Sequence, residues 1–305
     1  MSSPGSMELN IPNEWAPLQR VVVGHGLEVG EPPNVKTAID PISRQHLLQG
    51  TYPAHDEVKR QLDALSALLE STGVEVLRPV NLPNVEQIFT RDIGMVIDHT
   101  FIRSRTIDRR SREWDGIAPL LDDHDKVELP EGVQLEGGDL VVLDDALIVG
   151  VTRKEDWIGL QVARTLPNAV DFLRSHFPER EVMGVELHKD DHDPLRSALH
   201  LDCAYMPLGG GEAILCPEAF VEENQFKSLI SKHSKVIEIT LDEAALLQSN
   251  LLHIDPETLL IDPKFRRLGV ELEGLGYRLM PCPYDKVGRM GGLFRCTTLP
   301  LLRKV

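Results

Sequence analysis

The chain has 305 residues and a formal net charge of −16, a length that buries a sizeable core in one or two domains without staples. The acidic balance argues against nucleic acid as a partner and weakly favours a cationic ligand. The four cysteines (Cys203, Cys216, Cys282, Cys296) include no CxxC pair, and the sequence has no membrane-length apolar run and no secretory segment; a disulfide framework, a structural zinc site and a membrane partner are therefore not expected, and a cytoplasmic protein is.

Met1-Ser2-Ser3-Pro4-Gly5-Ser6 reads as a cloning remnant, with Met7 as the natural start and 7–305 as a single catalytic domain. Gln19 to Gly24 is a β-branched run closed by glycine, predicting a buried strand. From His55 to Thr72 the residues Val58, Leu62, Leu65, Leu68 and Leu69 recur at helical spacing, and Gly73 ends the pattern. Val74 to Leu77 is a further short strand, and Pro79 to Glu86 a loop.

A hairpin pattern then repeats. Its first strands begin Arg91-Asp92-Ile93-Gly94, Glu136-Gly137-Gly138-Asp139, His200-Leu201-Asp202-Cys203 and Ser249-Asn250-Leu251, and a fifth copy begins at Phe294-Arg295-Cys296-Thr297. Each opens with a polar residue: Asp92, Asp139, Asp202, Asn250 or Cys296. The copies are about 45 to 65 residues apart, the range of repeat architectures. Helical patterns at Trp157 to Phe177, Pro217 to His233 and Leu241 to Leu247 fill the gaps. The expected fold is α/β with radial repetition. The last unit would borrow the N-terminal Val21-Val22-Val23 strand, closing the ring and leaving no open edge.

In such a ring the polar strand starts converge. Cys296 follows Gly291-Gly292 and precedes Thr297-Thr298, a setting that suits a nucleophile. His200 and Asp202 are two apart on a predicted strand and would share a face, with Cys203 turned to the core. With Glu136 and Asp92, these are the parts of a covalent site for a cation.

At this point the chain resembles the guanidino-group-modifying enzymes: arginine deiminase, dimethylarginine dimethylaminohydrolase and the amidinotransferases. The matching stretches are Asn13-Glu14-Trp15 with Pro17-Leu18 and Val21 to Gly24, Phe89-Thr90-Arg91-Asp92, Leu135 to Asp139, His200-Leu201-Asp202, and Gly291-Gly292 to Cys296-Thr297. The resemblance implies a five-bladed ββαβ propeller, the pentein fold, with pseudo-fivefold symmetry. It implies Cys296 as nucleophile, His200 as proton carrier, Glu136 as its partner, and Asp92 and Asp202 as guanidinium clamps. The implied substrate is a small cationic guanidino compound, and this chemistry requires no metal or organic cofactor. A hydrolase is expected first, an amidinotransferase second, and a non-catalytic binding protein on the same fold third. Self-association into a homo-oligomer is left open.

Two positions depart from the family pattern. Glu86 stands where arginine deiminases carry an asparagine against the amino-acid end of arginine, and a glutamate there would repel a carboxylate. Ungapped, a family arginine falls on Lys154, beside Arg153. Arg153 and Lys154, with Arg103 and Arg105, are the candidate partners for an anionic substrate end. The His188 to Asp193 run reads as a polar loop at the rim of the site, Asn250 and Asp139 as turn residues or as supports behind the reacting groups, and the Arg109 to Arg112 run as a short basic stretch that makes no case for nucleic acid.

Overall fold

The computed structural model describes residues 7–121 and 124–304. The expected cloning remnant, residues 1–6, lies outside the described residues. Among those described, fifteen strands run in chain order: β1 (Leu18–Val23), β2 (Glu75–Leu77), β3 (Gly94–Ile97), β4 (Thr100–Arg103), β5 (Lys126–Glu128), β6 (Leu140–Val142), β7 (Ala146–Val151), β8 (Glu181–Glu186), β9 (Tyr205–Pro207), β10 (Glu212–Leu215), β11 (Lys235–Glu238), β12 (Leu252–Asp255), β13 (Thr258–Ile261), β14 (Arg278–Pro281) and β15 (Thr298–Arg303). They form five three-stranded sheets, each an antiparallel pair of strands, one of which pairs in parallel with a third. The first sheet has the order β15-β1-β2, so the chain's last strand pairs with its first, as the ring reading requires.

Period-two burial explains β1. Val21 and Val23 face one apolar cluster and Val22 the opposite one, where Leu299 and Leu301 meet it. The helix His55–Ser71 lays Val58, Leu62, Leu65 and Leu69 into the same cluster as Val21 and Val23. Each such fully buried leucine contributes ~1.5–3 kcal/mol relative to exposure.

The polar strand starts sit on short turns that precede the strands: Thr90–Ile93, Gly137–Asp139 and Leu201–Cys203 are single 3₁₀ turns. The expectation that His200 and Asp202 share the face of a strand is therefore corrected; the strand begins at Tyr205. Asp139 accepts a hydrogen bond from the Leu201 amide at 2.9 Å, and Cys203 N donates to His200 O at 3.1 Å, which winds the chain there.

These turns are joined to one another. Arg91 N donates to Cys296 O at 3.1 Å, and Gly137 packs so close to Arg91 O that an added Cβ would lie 2.1 Å from it. Asp139 holds Leu201; Ser249 Oγ donates to Asp202 O at 3.0 Å; Cys296 N donates to Asn250 Oδ1 at 3.1 Å. The links pass from each turn to the next in sequence and return to Cys296. Five small sheets joined in this way fit a propeller-like arrangement.

Two of the predicted helices are shorter in the structure. Trp157 to Phe177 is helical only at Asn168–His176, because Gly159 takes a positive φ and Pro167 resets the chain. Pro217 to His233 holds a 3₁₀ turn and then the helix Glu223–Ile230. The helix Pro41–Leu48, absent from the sequence reading, is capped by Asp40, whose Oδ1 accepts from Ser43 N at 2.8 Å, with Pro41 opening the helix. Among the described residues no helix is long and apolar enough to cross a membrane.

Candidate active site

The turns bring Asp92, His200 and Cys296 to one cavity of about 520 Å³, which Glu86, Asp40, Arg110 and Arg164 also line. Glu136 and Asp202 are fully buried behind its wall. Gly138 is required for this convergence: a Cβ there would lie 2.7 Å from His200 Cγ and 2.9 Å from Asp92 Oδ1. Gly291 takes a φ of 88° beside Asp40, and a Cβ on Gly292 would lie 2.8 Å from that of Cys296. The glycine pairs singled out in the sequence are thus fixed by close approach around the site.

His200 is held through Nε2, 2.9 Å from Glu136 Oε2. Its Nδ1 lies 3.6 Å from Asp92 Oδ1, and among the described residues neither of these buried atoms has a hydrogen-bond partner. Burial disfavours the imidazolium, but Asp92, Asp139 and Glu136 outweigh it and push the His200 pKa up to about 10. Both ring nitrogens then carry protons. Glu136 is opposed by burial but held down to about 2, chiefly by Arg164, whose Nη1 is 3.1 Å from Oε2, and by His200.

Asp92 takes a second partner. Its Oδ2 accepts from Arg110 Nη1 at 2.6 Å, and Arg110 is gripped in turn by both oxygens of Glu113, at 2.7 and 2.9 Å. Asp202 lies on the other side of the sulfur. Both its oxygens are 3.9 Å from Cys296 Sγ, and Oδ2 is 3.3 Å from Arg295 Nε. Burial raises the Asp202 carboxyl to about 6 against the pull of Arg295 and His200.

Cys296 is buried, and its thiol is pushed well above the usual range by the neighbouring Cys203 thiol, by burial and by Asp202. Asn250 contacts it directly: Nδ2 lies 3.1 Å from Sγ. Cys203, expected to turn to the core, does join the apolar cluster, but its sulfur also lies within 4.8 Å of Cys296 Sγ.

Several residues that the sequence reading passed over support the site. Glu14, within the Asn13-Glu14-Trp15 stretch, pairs with Arg295, and its Oε1 accepts from Val142 N at 3.1 Å. Burial opposes the Glu14 charge, but Arg295 and Arg91 hold its carboxyl down to about 2. Arg164 joins Glu136 to Ile39 O, 3.1 Å from Nη2, on the segment that covers the cavity. Arg109 and Arg112, from the short basic run, line the cavity while remaining exposed.

The structure does not bring Arg153 and Lys154, expected at an anionic substrate end, to this cavity. Arg153 lines a separate cavity of about 410 Å³ and pairs with Asp156 at 2.7 Å, and Lys154 is exposed. The chain leaves the sheet after Val151, runs across the surface and returns at Val162, so the arginine that reaches the site is Arg164. Arg103 and Arg105 also lie elsewhere; Arg103 covers the Trp114 ring at 4.8 Å and Arg105 donates to Leu129 O at 2.8 Å. Glu86 does line the cavity, and burial, with Asp40 adding to it and Arg110 opposing it, raises its carboxyl.

Asp92, Glu136 and His200 are near enough to chelate a metal, with ligand atoms within 4.8 Å. Arg110 and Arg164 already pair with the two carboxylates, and against burial the charges of Asp92, Asp139 and Glu136 favour the imidazolium, a form that ligates no metal. The His188 to Asp193 run forms no such cluster among the described residues; Asp191 instead caps the Gln161 and Val162 amides at 3.0 Å.

The chain is 30% identical over 253 residues to the uncharacterized protein YkgA of Bacillus subtilis (strain 168), covering 82% of this chain and 80% of that one. It is 23% identical to inosamine-phosphate amidinotransferase 1 of Streptomyces griseus, over 97% of each chain. Among solved structures, SxtG, an amidinotransferase of Microseira wollei, superposes with a TM-score of 0.78 at 18% identity, covering 97% of this chain and 98% of that one. The N-terminal domain of ArgZ, a cyanobacterial arginine dihydrolase, superposes at 0.77 and 18% identity, covering 93% and 97%. The family model for eukaryotic N,N dimethylarginine dimethylhydrolase matches residues 33–303. The chain belongs to this dimethylarginine dimethylhydrolase family, within the guanidino-modifying superfamily.

Proposed function

We propose that the chain is a single-domain, five-bladed ββαβ propeller enzyme that uses Cys296 to attack the carbon of a guanidino group, and that it is a hydrolase. The reading is carried by the opening of Cys296, His200 and the free oxygen of Asp92 onto one cavity. A guanidinium there donates to Asp92 Oδ1, and Asp202, whose oxygens lie 3.9 Å from the sulfur, serves as the second carboxylate once the carbon is drawn to within about 3–3.5 Å of that sulfur. The two carboxylates localise charge on the nitrogens, leaving the carbon easier to attack. The cation also offsets the negative field that keeps Cys296 protonated, which favours the thiolate.

The thiolate forms the C–S bond. His200, tied through Nε2, delivers its Nδ1 proton to the departing nitrogen as the C–N bond breaks. Ammonia or an alkylamine leaves and an S-alkylthiouronium remains. His200 then takes one proton from water, whose oxygen replaces sulfur at carbon; the thiolate leaves, and loss of the second water proton to the released amine or to solvent yields the neutral ureido product. The second reading is an amidinotransferase, in which an amine replaces water; the Asn13-Glu14-Trp15 stretch and the likeness to two amidinotransferases favour it.

Product analysis by mass spectrometry separates them. The protein is incubated with arginine, N-methylarginines, agmatine, guanidino acids and acylated arginines, with and without glycine, ornithine or lysine. A ureido product without acceptor is the expected result; a new guanidino compound formed only with an acceptor overturns the hydrolase reading. Because Glu86 lines the cavity, free L-arginine is expected to be a poor substrate in this panel, and a high kcat/KM for it would show that Glu86 does not repel its carboxylate.

Asp202→Asn is expected to lower kcat/KM by about 10²–10³-fold, the loss typical of a preorganised charge partner. A rate within a few-fold of the parent would remove Asp202 from the binding of the cation.

A further inference from the structure

We propose that Asn250 is a catalytic residue that holds the Cys296 sulfur as a thiolate by donating its amide N–H to it. The proposal rests on the reading of Cys296 as the nucleophile. Asn250 is fully buried, at the start of the fourth repeat of the polar pattern. Its Oδ1 accepts from two backbone amides, Leu293 N at 3.2 Å and Cys296 N at 3.1 Å. Both are donors only, so they fix which end of the side-chain amide is oxygen. The NH₂ group must then face the other way. There it meets Cys296 Sγ at 3.1 Å and the Asp202 carbonyl at 3.4 Å. The carbonyl takes one proton and the sulfur the other.

The charge around the sulfur makes such a donor necessary. Asp202 and Asp92 oppose a negative sulfur and Cys203 adds to them; Arg91 and Arg295 favour it; the Tyr284 hydroxyl lies in the same surroundings. Arg295 donates to Glu14 and to Leu140 O and Arg91 to Arg295 O at 3.2 Å, and among the described residues neither guanidinium hydrogen-bonds the sulfur. Among the described residues Asn250 is the group whose N–H contacts Sγ at hydrogen-bond distance. Such a bond favours the ionised sulfur over the thiol before attack, and again when the C–S bond breaks and thiolate departs.

Asn250→Asp separates this role from a structural one. Its carboxylate still accepts from both backbone amides, but it presents an oxygen to the sulfur in place of an N–H. The readout is alkylation of Cys296 by iodoacetamide, followed by peptide mass spectrometry from pH 7 to 10, with the unfolded protein as the reference. The expected result is alkylation at least about tenfold slower than in the parent at each pH, the whole curve displaced to higher pH, equal rates after unfolding, and a matching loss of kcat. A folded Asn250→Asp protein with the parent's alkylation curve overturns the proposal. Should that variant not fold, Asn250→Ala carries the same readout: slower alkylation supports the donor, and an unchanged or faster rate overturns it. Cys296→Ser is the control for the underlying reading. If it still turns over substrate, the nucleophile assignment fails; if it is inactive while Asn250→Asp reacts like the parent, only the role of Asn250 fails.

Discussion

Cys296→Ser is expected to lower kcat by at least about 10⁴-fold, the scale lost when a covalent nucleophile is removed, while leaving the fold in place. The serine hydroxyl is of similar size and still offers an acceptor to Asn250 Nδ2, and the two backbone amides held by Asn250 Oδ1 are untouched. Thermal unfolding should therefore shift by no more than a few degrees. The loss follows from proton chemistry. Cys203, burial and Asp202 raise even a thiol well above its usual range, and an alcohol is far harder to ionise in the same surroundings. Intact-mass spectrometry after mixing with substrate adds a second check. The parent should carry a covalent adduct during turnover and the variant none. Cys203, Cys216 and Cys282 remain as internal controls, all buried. Activity near that of the parent would remove Cys296 from the chemistry.

The parts of the site that were legible in the sequence are those with a local signature. Asp92, Asp139, Asp202, Asn250 and Cys296 could be aligned because each opens a hairpin, and the hairpins repeat. The Gly291-Gly292 pair announced a close approach, which the structure places against Asp40 and Cys296; Gly137 and Gly138 pack as closely on Arg91 and His200. The cations were not legible. Arg164 meets Glu136 from 28 positions away and Arg295 meets Glu14 from 281; nothing in the neighbourhood of either residue signals a partner so distant. Arg153 and Lys154 were singled out by counting without gaps from Glu136, which assumes a loop of fixed length. The surface excursion between Thr152 and Val162 breaks that assumption and brings Arg164 in instead. Asn250 read as a turn residue because its type suits turns. What it contacts depends on Cys296, 46 residues later at the start of the next sheet.

Glu136→Gln is expected to damage both stability and catalysis, for one electrostatic reason. Glu136 is fully buried and serves two cations, Arg164 and the His200 imidazolium. A neutral amide leaves the Arg164 charge without its main counterion, and removing one member of a buried pair costs about 3–5 kcal/mol. It also points an NH₂ at one of two groups that are themselves donors. The pH dependence carries the sign. Glu136 is lowered in the folded chain to about 2 from 4.5, so the stability it contributes is present above pH 4.5 and is lost as pH falls towards 2. His200 is raised to about 10 from 6.5, so its contribution is complete below pH 6.5 and is lost as pH rises through 10. Both are in force between about pH 4.5 and 6.5. The gap in unfolding free energy between parent and variant should be widest in that window and narrow on either side. Turnover should fall as well, because the imidazole loses the bond that fixes Nε2 and aims Nδ1 at the departing nitrogen. The check is denaturant unfolding of both proteins from pH 3 to 10, alongside kcat on whichever substrate the product panel identifies. A gap that does not vary with pH would mean that Glu136 acts through packing alone. An unchanged kcat in a destabilised variant would separate Glu136 from the orientation of His200.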